Sequence, residues 1–372
     1  MKRTILFLVF LMPSQELISQ IHYPFGVPVN DNDITAYWYN VPKDSLTLKV
    51  MKQTLQFQST LEIYGLVPSD SFVVSAATFF RNGRQGPSRD FLVKKGGTDA
   101  SFQIQRKGKF FKLMLPVEYQ PEPPTKIIIT INAGALMRTK EIVCRYHTLT
   151  GTIKDFEGKP FRAAVLVRPD DFDSGNGVWS DASGNYSILL PERIYSNIIA
   201  DDESYGIRTA EAWGWHIIAD ADQRLDFKIG TAEVYNLNVW PNNGGAKTYF
   251  LSFRPMSVFF YRNMPQSSPV TVDGKAYDLI DVGPHLKPGE IIVRFNGKEA
   301  AIVSLQKYYE WISGKMMPAY LLQVSREGLE NVGKQTVTVE YRSEGEVRGE
   351  KVVHSSMGIF QLYPNFTGLS FY

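Results

Sequence analysis

Apolar and polar residues alternate with a period of two along much of this chain, the pattern of half-buried strands and not of helices. Leu46, Leu48 and Val50 interleave with Ser45, Thr47 and Lys49, and Val337, Val339 and Tyr341 repeat the pattern near the C-terminus. Ser71 to Phe80, Phe110 to Val117 and Lys126 to Ile131 are further β-rich runs. Ile127-Ile-Ile-Thr-Ile131 is too continuous to have one wet face and predicts a central strand. Asn82-Gly83, Asp273-Gly274 and Asn296-Gly297 read as hairpin turns, because these pairs accept the positive φ angles of tight turns. Helical spacing occurs at Leu305, Tyr308, Tyr309 and Ile312, where the pattern leaves helix and strand both open.

The ends and breaks of this pattern divide the chain. Met1-Lys2-Arg3, a short apolar run from Ile5 to Met12 and a polar exit predict a secretory signal peptide over residues 1–20. The apolar run is far shorter than the ~20 residues needed to span a bilayer. A first β-sandwich is expected over 21–146, with Pro116 to Pro124 as a long loop inside it. A second module is expected over 147–261, and the polar stretch Arg262 to Pro269 reads as a linker. A third, immunoglobulin-like sandwich is expected over 270–372. The predicted fold class is all-β, with tandem β-sandwich domains.

The middle segment carries the most specific pattern. It reads Gly151-Thr-Ile-Lys-Asp155-Phe-Glu-Gly158-Lys-Pro160, then Ala163-Ala-Val-Leu-Val167, then Trp179-Ser-Asp181-Ala-Ser-Gly184-Asn-Tyr186-Ser-Ile188. Gly158 and Pro160 reverse the chain between two strands. Asp181 can hold the local backbone, and Gly184 accepts a left-handed conformation. Over Thr148 to Tyr205 the pattern resembles the carboxypeptidase regulatory-like domain, a small transthyretin-like sandwich appended to many secreted bacterial proteins. The resemblance implies an exported β-module and names no ligand.

Composition adds exclusions. Lys and Arg number 40 against 38 Asp and Glu, a net charge of +2, with both signs mixed along the chain. No basic stripe of the kind a nucleic-acid binder needs is visible. The single cysteine, Cys144, sits in a strand-like run and reads as a buried apolar thiol. None of the five histidines has a glutamate three positions on, as a zinc carboxypeptidase would require; Phe25, Thr150, Ala219, Pro288 and Met357 occupy those places. No Gly-x-Ser-x-Gly elbow occurs either. No enzyme activity, cofactor or metal is therefore expected.

Four tryptophans are candidate ligand-binding residues: Trp213, Trp215, Trp38 and Trp179. Trp213 and Trp215 alternate with Gly214, so in a strand both indoles share a face. An exposed pair would be a platform for a sugar ring, and a buried one would be core. Trp38 lies between Tyr37 and Tyr39 and faces opposite to both, which predicts at least one accessible ring. Asp170, Asp171 and Asp173 crowd one loop as weak calcium candidates, although Ser174-Gly175-Asn176 breaks the EF-hand register. The sequence thus points to an exported protein of the cell envelope. It is expected to be non-catalytic and to bind glycan or adhere, or else to serve as a structural component meeting another envelope protein.

Overall fold

The computed structural model describes residues 33–43, 47–50, 53–56, 58–86, 88–94, 104–169, 175–242, 246–262, 269–329 and 333–363. The expected signal peptide and the three calcium candidates Asp170, Asp171 and Asp173 lie outside them. The described chain is nearly all strand, as the period-two pattern predicts.

The first ten strands are β1 (Ile34–Tyr39), β2 (Thr47–Val50), β3 (Gln53–Gln56), β4 (Thr60–Leu66), β5 (Ser71–Phe79), β6 (Arg89–Lys94), β7 (Ile104–Lys107), β8 (Phe110–Pro116), β9 (Lys126–Ala133) and β10 (Leu136–Val143). Sheets β1-β4-β8-β7 and β10-β9-β5-β6 enclose a core of Trp38, Ile63, Val74, Phe111, Ile127, Ile129 and Ile131. The isoleucine-rich strand β9 sits between β10 and β5, as its continuous apolar run predicts.

The next eight are β11 (Tyr146–Asp155), β12 (Ala164–Arg168), β13 (Asn176–Trp179), β14 (Asn185–Pro191), β15 (Arg193–Asp201), β16 (Ala212–Ala219), β17 (Gln223–Arg224) and β18 (Phe227–Ile229). The turn chemistry read from the sequence is present here. Asp181 accepts the backbone N–H of Ser183 and of Asn185, each at 2.8 Å. Gly184 takes φ +77°, and a Cβ there would lie 2.3 Å from the Ile153 carbonyl oxygen. β11 pairs β14 antiparallel and β17 and β18 parallel. That layer packs on β13-β12-β15-β16 around Leu149, Val165, Tyr186, Ile188, Ile198 and Phe227.

The last ten are β19 (Ala232–Pro241), β20 (Thr248–Ser257), β21 (Val270–Val272), β22 (Lys275–Tyr277), β23 (Ile291–Phe295), β24 (Lys298–Ala300), β25 (Ile302–Ile312), β26 (Lys315–Ser325), β27 (Gln335–Val347) and β28 (Glu350–Leu362); the short helix α1 (Val258–Arg262) follows β20. Three sequence expectations change here. Leu305 to Ile312, ambiguous by spacing, is strand β25, because ten of its residues pair along β26. β19 and β20, read as closing the middle module, belong to the sheet β19-β20-β26-β25 of the last sandwich. Most of the stretch read as a linker, Arg262 to Pro269, lies outside the described residues, but β20 before it and β26 after it pair with each other, so no boundary between sandwiches falls there. Asp273-Gly274 and Asn296-Gly297 make the expected hairpins with φ positive at both residues, and Ser313-Gly314 and Arg348-Gly349 make two more.

The second and third sandwiches share a sheet. β16 pairs β28 in parallel through Trp213↔Gly358, Gly214↔Ile359 and Trp215↔Phe360. The result is one eight-stranded sheet, β13-β12-β15-β16-β28-β27-β23-β24. β28 serves two cores with opposite faces: Met357 and Ile359 enter the middle core, while Phe360 packs against the third. Apolar residues on both faces are what a doubly covered strand requires.

Candidate functional site

The chemistry-bearing side chains gather at two seams between sandwiches. At the first, Glu62 of β4 is fully buried among cations and phenols. Arg193 donates to its Oε2 at 2.6 Å, and Lys112 reaches its Oε1 at 3.1 Å. The hydroxyls of Tyr64 and Tyr39 donate to the same carboxylate at 2.7 and 3.0 Å. Arg193 also donates to the Tyr39 hydroxyl and lies over the Tyr37 ring, 4.3 Å from its centroid. Burial alone would raise the Glu62 carboxyl, but Lys112 and Arg193 outweigh it and hold it down at about 2. Arg193 is the first residue of β15, so this cluster bolts the first sandwich to the second.

That docking explains a failed expectation. The alternation in Tyr37-Trp38-Tyr39 is real: Trp38 enters the first core and both tyrosines enter the second. None of the three is accessible, at 8%, 1% and 0% exposure. The outer face of edge strand β1 is covered by the neighbouring sandwich.

At the second seam, Trp213 and Trp215 stack with centroids 4.7 Å apart and planes 8° from parallel. Both indoles do share a face. Tyr235 of β19 meets them edge-on at 5.0 and 5.2 Å, and Arg254 covers Tyr235 at 4.8 Å. Trp213 is 3% exposed and Trp215 half-buried. There is no room beside Gly214, since a Cβ there would lie 2.4 Å from Ile198 Cγ2. Ile217, which simple alternation would put with the indoles, turns into the middle core; His216 between them takes φ +52°. Trp179 is half-buried with Arg162 over its ring at 4.9 Å. Trp38 and Trp213 therefore offer no stacking face, and Trp215 gives its ring to Trp213.

The same seam holds three carboxyls, of which Glu211 and Glu233 carry no signal in the sequence. Asp201 ends β15, Glu211 precedes β16 and Glu233 is on β19; they are 1%, 3% and 6% exposed. Burial, then the charges of Glu211 and Asp202, push Asp201 up to about 9. Burial lifts Glu211 to about 7 against the pull of Arg168. Burial and Glu211 together carry Glu233 well above the carboxylate range. Asp201-Asp202-Glu203 looks like a solvated acidic turn in sequence, but Asp201 is the last residue of β15, pairs with Ala164 of β12, and has its side chain enclosed. Among the described residues, no group of three or more His, Cys, Asp or Glu has geometry to hold a metal ion.

Other chemistry is enclosed or isolated. Ser257 Oγ lies 2.8 Å from His354 Nδ1, but both are buried, Phe260 stacks on the imidazole, and burial lowers His354 to about 4. Burial raises the Cys144 thiol to about 11, an inert setting for a half-buried sulfur. A groove of about 570 Å³ runs between the first two sandwiches, walled by residues including Thr35, Ala36, Val143, Arg145, Asp220 and Tyr363. The open tryptophans among the described residues lie elsewhere, on the third sandwich. Trp240 is 41% exposed and stacks on Phe250 at 5.9 Å, and Trp311 is 62% exposed. No described helix is long and apolar enough to cross a membrane.

No protein-family model matches the chain, and no curated protein does. Among solved structures, the chain is similar to the pilus 2b backbone protein of group B streptococcus. They share 10% identity over 53% of this chain and 96% of that one, with a TM-score of 0.19. It is also similar to the major pilin SpaD of Corynebacterium diphtheriae, at 10% identity over 53% and 65% of the two chains and a TM-score of 0.20. The major pilin subunit BcpA of Bacillus cereus gives 12% identity, 58% and 69% coverage and a TM-score of 0.18. Scores this low carry no argument about fold or role.

Proposed function

We propose that this chain is an exported, non-catalytic structural component of the bacterial cell envelope, a rigid three-sandwich unit that meets other proteins there. The observation that carries the reading is the sheet shared by the second and third sandwiches. Independent modules on a string need no hydrogen-bonded strand pair between them, and inter-domain motion is the default when the interface is small and polar. Here backbone pairing at β16–β28 and the buried Glu62–Arg193 bridge remove that freedom at both joints. Glu62, whose carboxyl is held low, and Asp201, Glu211 and Glu233, which burial raises, are enclosed in these joints, where a substrate would not reach them. The N-terminal pattern and the resemblance of the middle module to the regulatory-like domain support export.

The test is fractionation of cells making the full chain, followed by cross-linking in place. The chain should lose its first residues, partition with the envelope and cross-link to protein. Cytoplasmic retention with an uncleaved N-terminus would sink the proposal. A second reading, glycan binding, is favoured by one observation, the open Trp240–Phe250 stack. Binding on a glycan array that disappears in Trp240→Ala would establish it, and Trp213→Ala is the wrong place to look.

A further inference from the structure

The seam between the second and third sandwiches gathers three carboxyls from both of its sides. Asp201 and Glu211 come from the middle sandwich and Glu233 from the third. Both oxygens of Asp201 and Oε2 of Glu233 are buried without a hydrogen-bond partner. The groups that face the cluster can be named element by element. Arg168 ends β12; Asp202 and Tyr205 follow β15, with Tyr205 hydroxyl 3.5 Å from Glu233 Oε1. The Trp213 indole comes from β16 and Tyr261 from α1, while the Tyr341 hydroxyl of β27 donates to the Glu233 carbonyl oxygen. Three carboxylates against the Arg168 guanidinium would leave two buried negative charges uncompensated. An unpaired ion in a protein interior neutralises by taking a proton where it can.

We propose that this seam is a proton-dependent lock: it closes with protons held among Asp201, Glu211 and Glu233, and loosens as the medium turns alkaline. The inference goes beyond the structural role and holds whatever the chain contacts. Deprotonation sets Glu233 against Glu211 across the seam and Glu211 against Asp201 beside it, and the strand pair next to them, β16–β28, is what binds the two sandwiches. The sign follows from linkage. These acids hold protons more tightly folded than unfolded, so their stabilisation is complete below pH ~4 and is lost as pH rises through about 7 for Glu211 and about 9 for Asp201.

The experiment is thermal unfolding of the full chain from pH 5 to pH 10. Alongside it, hydrogen exchange at the amides of Trp213 to Trp215 is read after correction for intrinsic rate. Protection there should fall toward pH 10 in the native sequence. Asp201→Asn and Glu233→Gln, which keep shape and remove the titration, should flatten the fall and raise Tm at pH 9 by about 4 °C or more. Glu211→Gln is the further variant if Asp201→Asn does not fold, and it should flatten the slope between about pH 5 and about 7. Equal alkaline slopes in native and folded variant proteins would overturn the proposal. So would a loss of stability at pH 8 on adding a chelator that Ca²⁺ restores, because a metal and not protons would then neutralise the seam.

Discussion

Glu62→Gln is the sharpest test of how the first two sandwiches are joined. The substitution keeps the shape of the side chain and removes the anion shared by Lys112 and Arg193, whose side chains are 5% and 0% exposed. Two buried cations would be left facing one another's field and a neutral amide. Breaking a buried ion pair from one side costs about 3–5 kcal/mol, and two stranded cations place this case at the upper end. Linkage gives a compatible figure. A carboxyl held at about 2 against its ordinary 4.5 contributes on the order of 3 kcal/mol of stability at neutral pH. Because this acid is depressed, its contribution is present above pH 4.5 and is lost as pH falls through about 2. Arg193→Met should cost less. Glu62 would keep Lys112, Tyr39 and Tyr64, and methionine can fill part of the space between the Tyr37 and Tyr195 rings. The assay is urea unfolding followed by tryptophan fluorescence, with limited proteolysis to see whether the first sandwich separates first. Urea is used because an ionic denaturant would screen the interaction. The reasoning fails if Glu62→Gln costs under ~1 kcal/mol, if Arg193→Met costs more than Glu62→Gln, or if the difference between native and Gln proteins persists at pH 2.

Other outcomes follow from packing. Gly151→Ala should destabilise the middle sandwich by about 3 kcal/mol or prevent its folding, because a Cβ there would lie 1.8 Å from the Leu225 carbonyl oxygen; calorimetry of the variant decides it. Trp213→Ala should cost about 3–5 kcal/mol in denaturant melts, whereas Trp240→Ala should change stability by under ~1 kcal/mol. Equal costs would mean that the burial difference between the two indoles has been misjudged. Asp181→Ala should weaken the turn before β14 at neutral pH but not in strong acid. The Asn185 and Ser183 backbone N–H groups that hold this exposed carboxylate below its usual range bind the ionised form, and a pH series of melts reads the difference.

Much of the fold was legible because strands write their periodicity locally. Ile127 to Ile131 announces a central strand. Asp181 and Gly184 announce their turn through hydrogen-bonding capacity and backbone freedom, neither of which depends on distant residues. Ser313-Gly314 and Arg348-Gly349 were missed as turns because serine and arginine take positive φ without the compositional signal that asparagine and aspartate provide. The candidate site was less legible. Asp201, Glu211 and Glu233 are scattered in sequence and carry no spacing, and each alone reads as a solvated acid. Their proximity depends on β15, β16 and β19 meeting at one seam. Trp213 and Trp215 were found, and their shared face was right, but whether that face was open depended on Tyr235 of the next sandwich.

By itself the sequence determined the period of each strand, the chemistry of its turns and the all-β class, since these follow from neighbouring residues and the two-residue repeat of an extended backbone. Tertiary structure alone decided what covers each face. Tyr37 and Tyr39 are core because another sandwich docks on β1. β19 and β20 join the last sandwich because β26 completes their ladder. Three acids share one seam because β28 carries the sheet from one sandwich into the next. Burial is a property of neighbours brought together by long-range pairing, and a single strand's alternation can show that it has two faces without showing what lies against either.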